Sequence, residues 1–578
     1  MKNSKTLWLI GAISSTLLVI ALACGAEDEP TPAPTAKPLP AATFAPTPVP
    51  TRAAVVPTAV PTPTIAPPTL AEPAGTVVVG FGGWSFEVFD NALAGANGTS
   101  GYGSPMFDYF IYPDDEANLS KERGVLTDWE MSPDAKTWTL TLRSGMRWHD
   151  GQNVTIDDAK FTIERHTQSD AICTVCGVFQ RNLESLEVVD NRVFKAHFKT
   201  PDLFVPRSLL VPLQTGLPIM PKHYWDKVGG SKGFNQKPLG SGPFKYVNHQ
   251  IGQFVEFEAF TDYWNKSRIP GFKVLRQIIV PEVSSRLALV QSGNADMVQM
   301  APSLVPEIKK AGLRIMAAEQ TWNTYLSFSQ GWDPTFISSK LEVRKAINLA
   351  IDRKAVAKVS YPSEEAGGPI DLLIPTTQEG YITDLTPYPY DPAESRRILK
   401  SAGLEDLEVT IYHYDFGGNS PEQLIMQEAA AGYLEQAGMK VKLFRQDYGT
   451  WLPIVQQGQL SHGPKEVVLH TYNWNVAATI DSNLRLLFVT RDVGGNIQAY
   501  PDPEKQLAKF YTDYIGTLDP VRRLETAQQM VRHMHEVYGY VPISYKNDVW
   551  AVGPRIAEWK PAKHSSIVKH FDTLKPAR

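Results

Sequence analysis

The sequence predicts an α/β or mixed α+β body in more than one lobe, carried behind an export signal and a proline-rich tether. Three observations predict it. The chain has 578 residues, enough for several packed units at roughly 150 residues per domain. Residues 407–444 read as strand, helix and strand, a unit whose parallel pairing requires a right-handed crossover. Composition supplies the cores, with 43% hydrophobic and 10% aromatic residues. Charge is nearly balanced, 56 Lys and Arg against 61 Asp and Glu for a net of −5. That balance argues against nucleic acid as a partner, because counterion release needs a basic surface.

The elements follow in chain order. Met1, Lys2 and Lys5 precede an apolar run over residues 7–23 that ends at Cys24, the layout of an export signal. The run reaches only ~26 Å as a helix, short of a ~30 Å hydrocarbon core, so a spanning helix is the weaker reading. Ala21-Leu22-Ala23-Cys24-Gly25 resembles a bacterial lipobox, with Ala21 where Leu is usual. That resemblance implies a lipid on Cys24; ordinary signal cleavage and an uncleaved anchor are the alternatives, and all three place the rest outside the cytoplasm. Residues 30–73 hold 14 of the 45 prolines. Without those backbone donors the stretch favours extended polyproline II over helix or sheet, a tether at about 3.1 Å per residue. The signal is thus expected over 1–23 and the tether over 24–75.

Residues 76–80 form a first strand. Trp138 to Leu142 alternate as a half-buried strand, Asp150-Gly151 makes a tight turn, and Thr155 with Asp158 matches a capping box that opens a helix through Arg165. Asp391 as N-cap, Pro392 behind it and Gly403 as stop delimit a second helix. A third runs over residues 421–437 to Gly438, between strands 407–412 and 439–444.

Several blocks carry a family likeness. One is the run from Leu126 through Trp129, Asp134, Trp138, Arg143, Gly145 and Trp148-His149-Asp150-Gly151. Another joins Pro221 to Trp225, Pro238-Leu239-Gly240-Ser241-Gly242-Pro243-Phe244, Asp262-Tyr263-Trp264 and Arg286 to Asp296. A third is Val343-Arg344 to Arg353, then Tyr390-Asp391-Pro392 and Ala402-Gly403-Leu404. In this order they resemble the family-5 extracellular solute-binding proteins, the peptide, dipeptide and nickel receptors of ATP-binding cassette importers.

That resemblance implies a two-lobed periplasmic-binding-protein-like α/β fold with an extra subdomain. Lobe I takes residues 76–115, 215–320 and 541–578, the subdomain 116–214 and lobe II 321–540, with crossings near Trp322 and Pro542. It implies a monomer that captures a peptide-like solute between hinged lobes and hands it to permease subunits with their ATPases, without catalysis or cofactor. An oligosaccharide or metal chelate is the alternative solute; a cell-surface hydrolase, a sensor and an adhesin are rival classes. No zinc-protease, nucleophile-elbow, phosphate-loop or dinucleotide motif occurs.

The expected ligand contacts are loop aromatics and their neighbours: Trp84, Phe86, Tyr102, Trp322, Asn323, Tyr325, Tyr472, Asn473, Trp474 and Asp481. Peptide-binding members carry an Asp three residues after the Trp at position 474, and this chain has Ala477 there. Either Asp481 or another acid takes the peptide amine, or the ligand has none. His149 reads as a turn residue, and His533 and His535 as solvated surface. Cys173 and Cys176 read as a structural disulfide, with free thiols or a redox pair as alternatives, and no further ligands were found for a metal.

Overall fold

The computed structural model describes residues 72–84, 87–94, 102–115, 118–206, 216–329, 331, 333–372, 374, 378–415, 421–447, 463, 465–475, 480, 505–561 and 569–577. The chain divides into Met1–Thr69 and Leu70–Arg578; the architecture is that of the second unit.

β1 (Thr76–Phe81) is a Val-rich strand that pairs in parallel on both sides, the environment that a near-continuous apolar run requires. Next comes a four-stranded antiparallel sheet of β2 (Leu126–Met131), β3 (Thr137–Leu142), β4 (Leu183–Val188) and β5 (Val193–Phe198), in spatial order β2-β3-β5-β4. β3 and β5 alternate buried and half-buried residues as a one-sided sheet should. α1 (Ile156–Thr167) opens with the full Thr155/Asp158 capping box, and α2 (Thr174–Asn182) is capped by Cys173. Their shared core of Trp138, Leu140, Trp148, Phe179 and Phe194 also takes in Ala92, Phe110, Ile111, Leu217 and Ile219, outside the 116–214 range.

β6 (Phe244–Gln250), β7 (Phe254–Ala259), β8 (Val274–Ile279) and β9 (Met297–Met300) lead to the long β10 (Arg314–Phe328). α3 (Leu341–Ala350), α4 (Arg353–Ser360), the short β11 (Gly367–Pro369) and α5 (Pro392–Ser401) follow. Then come β12 (Glu408–Asp415), α6 (Pro421–Gln436), β13 (Lys440–Asp447), β14 (Glu466–Asn475), α7 (Gln506–Gly516), α8 (Pro520–Glu536) and β15 (Tyr540–Val552). β12 and β13 pair in parallel across α6, as the strand-helix-strand pattern requires. Met426, Ala430 and Leu434 pack with Val409, Ile411 and Leu469 in one core.

The large sheet runs β13-β12-β14-β10-β15-β9-β1-β8-β7-β6, with β11 on β15. Among the described residues its two wings are joined in the sheet through the antiparallel pair β10/β15, whose ladder is broken in the middle. Arg314–Ala318 pair with Asp548–Val552 and Trp322–Ser327 with Tyr540–Lys546, with a register shift between Ala318 and Trp322. Gln320 occupies the break at φ +46, a left-handed conformation that costs a non-glycine residue about 1–2 kcal/mol. Asn547 holds it by accepting from Gln320 N at 2.8 Å. This break lies opposite Asn547, and a second register shift between Thr324 and Tyr325 falls where Tyr325 pairs with Pro542, so the ladder is irregular at Gln320 and again beside Pro542.

Candidate functional site

The register of β10 on β14 gathers residues that lie about 150 positions apart. Trp322 stands opposite Asn475, Asn323 opposite Trp474, and Tyr325 opposite Tyr472. On the other edge of β10, Asn323 faces Tyr545 and Trp322 faces Lys546, whose ammonium lies 5.4 Å from the Trp322 ring centre. Tyr325 and Tyr472 stack at 5.9 Å and both are buried in core. Asn323 is buried too, yet its Oδ1 has no hydrogen-bond partner among the described residues. Thr324 and Ser544 bond the hydroxyl of Tyr361, and burial pushes that phenol well above its ordinary range.

A second aromatic group sits after β1. The Trp84 ring lies 5.5 Å from Phe81 and 5.0 Å from Tyr102, and Tyr102 lies 4.9 Å from Phe89. Gly103 permits this packing, because a Cβ there would stand 3.1 Å from the Phe89 ring. Trp84 Nε1 and Tyr102 Oη are buried and lack hydrogen-bond partners among the described residues. Burial first, then the nearby charge of Glu87, raises the Tyr102 hydroxyl far above its usual pKa, so it stays protonated as a donor.

The structure thus brings the expected residues into two groups, Trp84 with Tyr102 and the β10/β14 set, and no ring contact or hydrogen bond joins the two among the described residues. Of Asn473 and Trp474 only the strand backbone is described; Phe86, Ala477, Asp481 and Cys24 lie outside the described residues. Lys546 and Tyr545 escaped the sequence reading, since they meet Trp322 and Asn323 through strand pairing across more than 200 residues.

Among the remaining expectations, that for His535 changes. His535 is not solvated surface: it is buried, stacks on Tyr388 at 4.1 Å and bonds Thr386 O at 3.0 Å, because α8 turns that face onto the 378–390 segment. His149 donates Nε2–H to Gly242 O at 2.9 Å, and burial lowers it to about 4, so it is a neutral structural group at pH 7. Cys173 and Cys176 are joined by a disulfide, and His166, which the sequence reading did not single out, lies beside them. Phe204, just beyond β5, stacks on Tyr514 of α7 at 5.2 Å with Arg523 nearby, so the small sheet's unit touches the β12–β14 wing.

With this geometry in place, comparison with known proteins gives consistent results. The model of bacterial extracellular solute-binding proteins, family 5 (middle), matches residues 122–463, more than half of the chain. Di/tripeptide-binding protein 1 of Pseudomonas aeruginosa is 25% identical over 359 residues, 58% of this chain and 65% of that protein. The chain thus aligns over just under two thirds of that relative's length. Heme-binding protein A of Haemophilus influenzae is 23% identical over 460 residues, 75% of this chain and 81% of its own. The crystal structure of the ABC transporter substrate-binding protein CtaP from Listeria monocytogenes superposes with a TM-score of 0.72 at 20% identity, over 88% of this chain and 100% of that one. This likeness is one of fold: a two-lobed α/β binding protein.

Proposed function

Because the chain belongs to the bacterial extracellular solute-binding proteins, family 5, we propose that it is the extracytoplasmic receptor of an ATP-binding cassette importer, closing two lobes on a peptide-like solute. One observation carries the reading. Three buried polar atoms, Trp84 Nε1, Tyr102 Oη and Asn323 Oδ1, lack hydrogen-bond partners among the described residues at the positions expected to face the ligand, and each such atom costs about 1–3 kcal/mol unless something satisfies it. Two donors and one acceptor, with aromatic faces beside them, suit the amide and side-chain groups of a short peptide. The broken β10/β15 ladder gives the lobes a hinge at Gln320, and bound solute biases it toward closure. No reaction is assigned to the site: it serves capture and transfer to a permease.

The lobe boundaries are those expected above, with the crossing supported by the Gln320/Asn547 break and the register shift beside Pro542. Lipidation of Cys24 and the proline-rich stretch would hold the receptor at the outer face of the membrane; among the described residues no helix is long and apolar enough to cross one. A second reading, a tetrapyrrole or other planar solute, is favoured by the heme-binding relative, which aligns over more of this chain. Mass spectrometry of the solute carried by the purified full-length protein separates the two, followed by calorimetry with that solute and X-ray scattering. A peptide that binds stoichiometrically and compacts the protein supports the proposal; turnover of it, or a non-peptide cargo, refutes it.

A further inference from the structure

The Cys173–Cys176 corner holds more than a crosslink. His166, Cys173 and Cys176 are all buried, and their ligand-type atoms lie within 4.8 Å of one another. The donors of a three-coordinate site with bonds of about 2.0–2.3 Å stand roughly 3.5–4 Å apart, so His166 and the two sulfurs need only the S–S bond opened to reach that spacing. His166 is already oriented. Its Nδ1 contacts Thr162 O at 2.7 Å, and since a carbonyl only accepts, Nδ1 carries the proton and the Nε2 lone pair points away from it, the arrangement typical of metal-bound imidazole. In the oxidised protein Nε2 accepts a hydrogen bond from Asn91 Nδ2 at 3.4 Å, which a metal ion on Nε2 would displace.

The sulfurs are prepared as well. Cys173 caps α2 and its Sγ accepts from Cys176 N at 3.1 Å. The frame is fixed from outside: Ile172 N and Cys173 N bond Ala92 O at 2.8 and 3.3 Å, and Arg165, the residue before His166, is locked to buried Asp90 at 2.8 Å. No fourth His, Cys, Asp or Glu joins the cluster among the described residues. Structural zinc sites are almost always four-coordinate, whereas soft thiolate sites also select Cu(I).

We propose that reduction of the Cys173–Cys176 bond converts this corner into a buried site for one Cu(I) ion, held by two thiolates and His166 Nε2. A dithiol reductant supplies two electrons and two protons, the S–S bond breaks and two thiols form while the dithiol becomes a disulfide. Cu(I) then replaces both thiol protons, which leave to solvent. The inference is independent of the solute between the lobes.

The test is a Cu(I) titration of the full chain under argon, oxidised and dithiol-reduced, against a chromophoric Cu(I) chelator. One Cu(I) per reduced chain and none per oxidised chain is expected. X-ray absorption of the loaded wild type should show one nitrogen at about 2.0 Å and two sulfurs at about 2.3 Å. His166→Gln should weaken binding at least tenfold and remove the nitrogen, and the Cys173→Ser, Cys176→Ser double variant should bind none. No uptake by the reduced chain, a spectrum without nitrogen in the wild type, or equally tight Zn(II) binding overturns the assignment, even where the His166 variant fails to fold.

Discussion

The hairpin around Trp148 and the pair of groups around Asn323 and Tyr102 are both buried and aromatic, yet they treat polar atoms in opposite ways. In the hairpin every key group is bonded within the protein. Trp148 Nε1 donates to Asp158 Oδ2 at 3.2 Å, Asp158 also receives Thr155 N and Lys222 N at 2.8 Å each, and Trp138 Nε1 donates to Asp202 O at 2.8 Å. At the candidate site Trp84 Nε1, Tyr102 Oη and Asn323 Oδ1 have no partner among the described residues. A fold that satisfies one set so fully and leaves the other open separates framework from recognition surface, because an unmet buried polar group opposes stability.

The sharpest way to break this comparison is Trp148→Ala. The side chain is 0% exposed, so its loss should cost about 3–5 kcal/mol, read by chemical denaturation, with solute affinity of the folded fraction unchanged. A large loss of affinity at unchanged stability would erase the distinction. Asp158→Ala should follow at about 2–4 kcal/mol, since it removes half of the α1 capping box and strands Trp148 Nε1 and Lys222 N.

At the site the expectation inverts. Asn323→Ala and Tyr102→Phe should leave stability within about 1 kcal/mol of wild type or raise it, because each removes a buried oxygen, Asn323 Oδ1 or Tyr102 Oη, that has no hydrogen-bond partner among the described residues. Each should weaken the carried solute about tenfold, ~1.4 kcal/mol, in calorimetry. Destabilisation above about 2 kcal/mol would make these residues framework. The smallest effect concerns pH. His149 is lowered to about 4 in the fold by burial against about 6.5 unfolded, so the unfolded chain binds the proton first. Its contribution is fully present above pH ~6.5 and is lost as pH falls through about 4. His149→Gln should flatten that part of the stability curve, and an unchanged slope would show that the ring is solvated.

Asp391 with Pro392, the Thr155/Asp158 box and the strand-helix-strand unit over 407–444 were legible because each is written within one short stretch of chain and depends on local capping and periodicity. The site was legible only as residue types: Trp322, Asn323 and Tyr325 could be named, and so could Tyr472 to Trp474, but not that they face one another across β10 and β14. Lys546 beside Trp322, the buried face of His535 and the approach of His166 to Cys173 and Cys176 had no local signal at all.

The sequence by itself determined the export-signal pattern, the proline-rich stretch, the helices with their caps and the family's ordered blocks, since backbone restriction at proline and side-chain capping act on neighbours in the chain. Only the tertiary structure decided that the two wings share one sheet through β10 and β15, that the ladder breaks at Gln320 opposite Asn547, and which polar atoms remain unpaired. Those outcomes depend on the register between strands more than 200 residues apart, where a one-residue slip would turn each side chain to the other face.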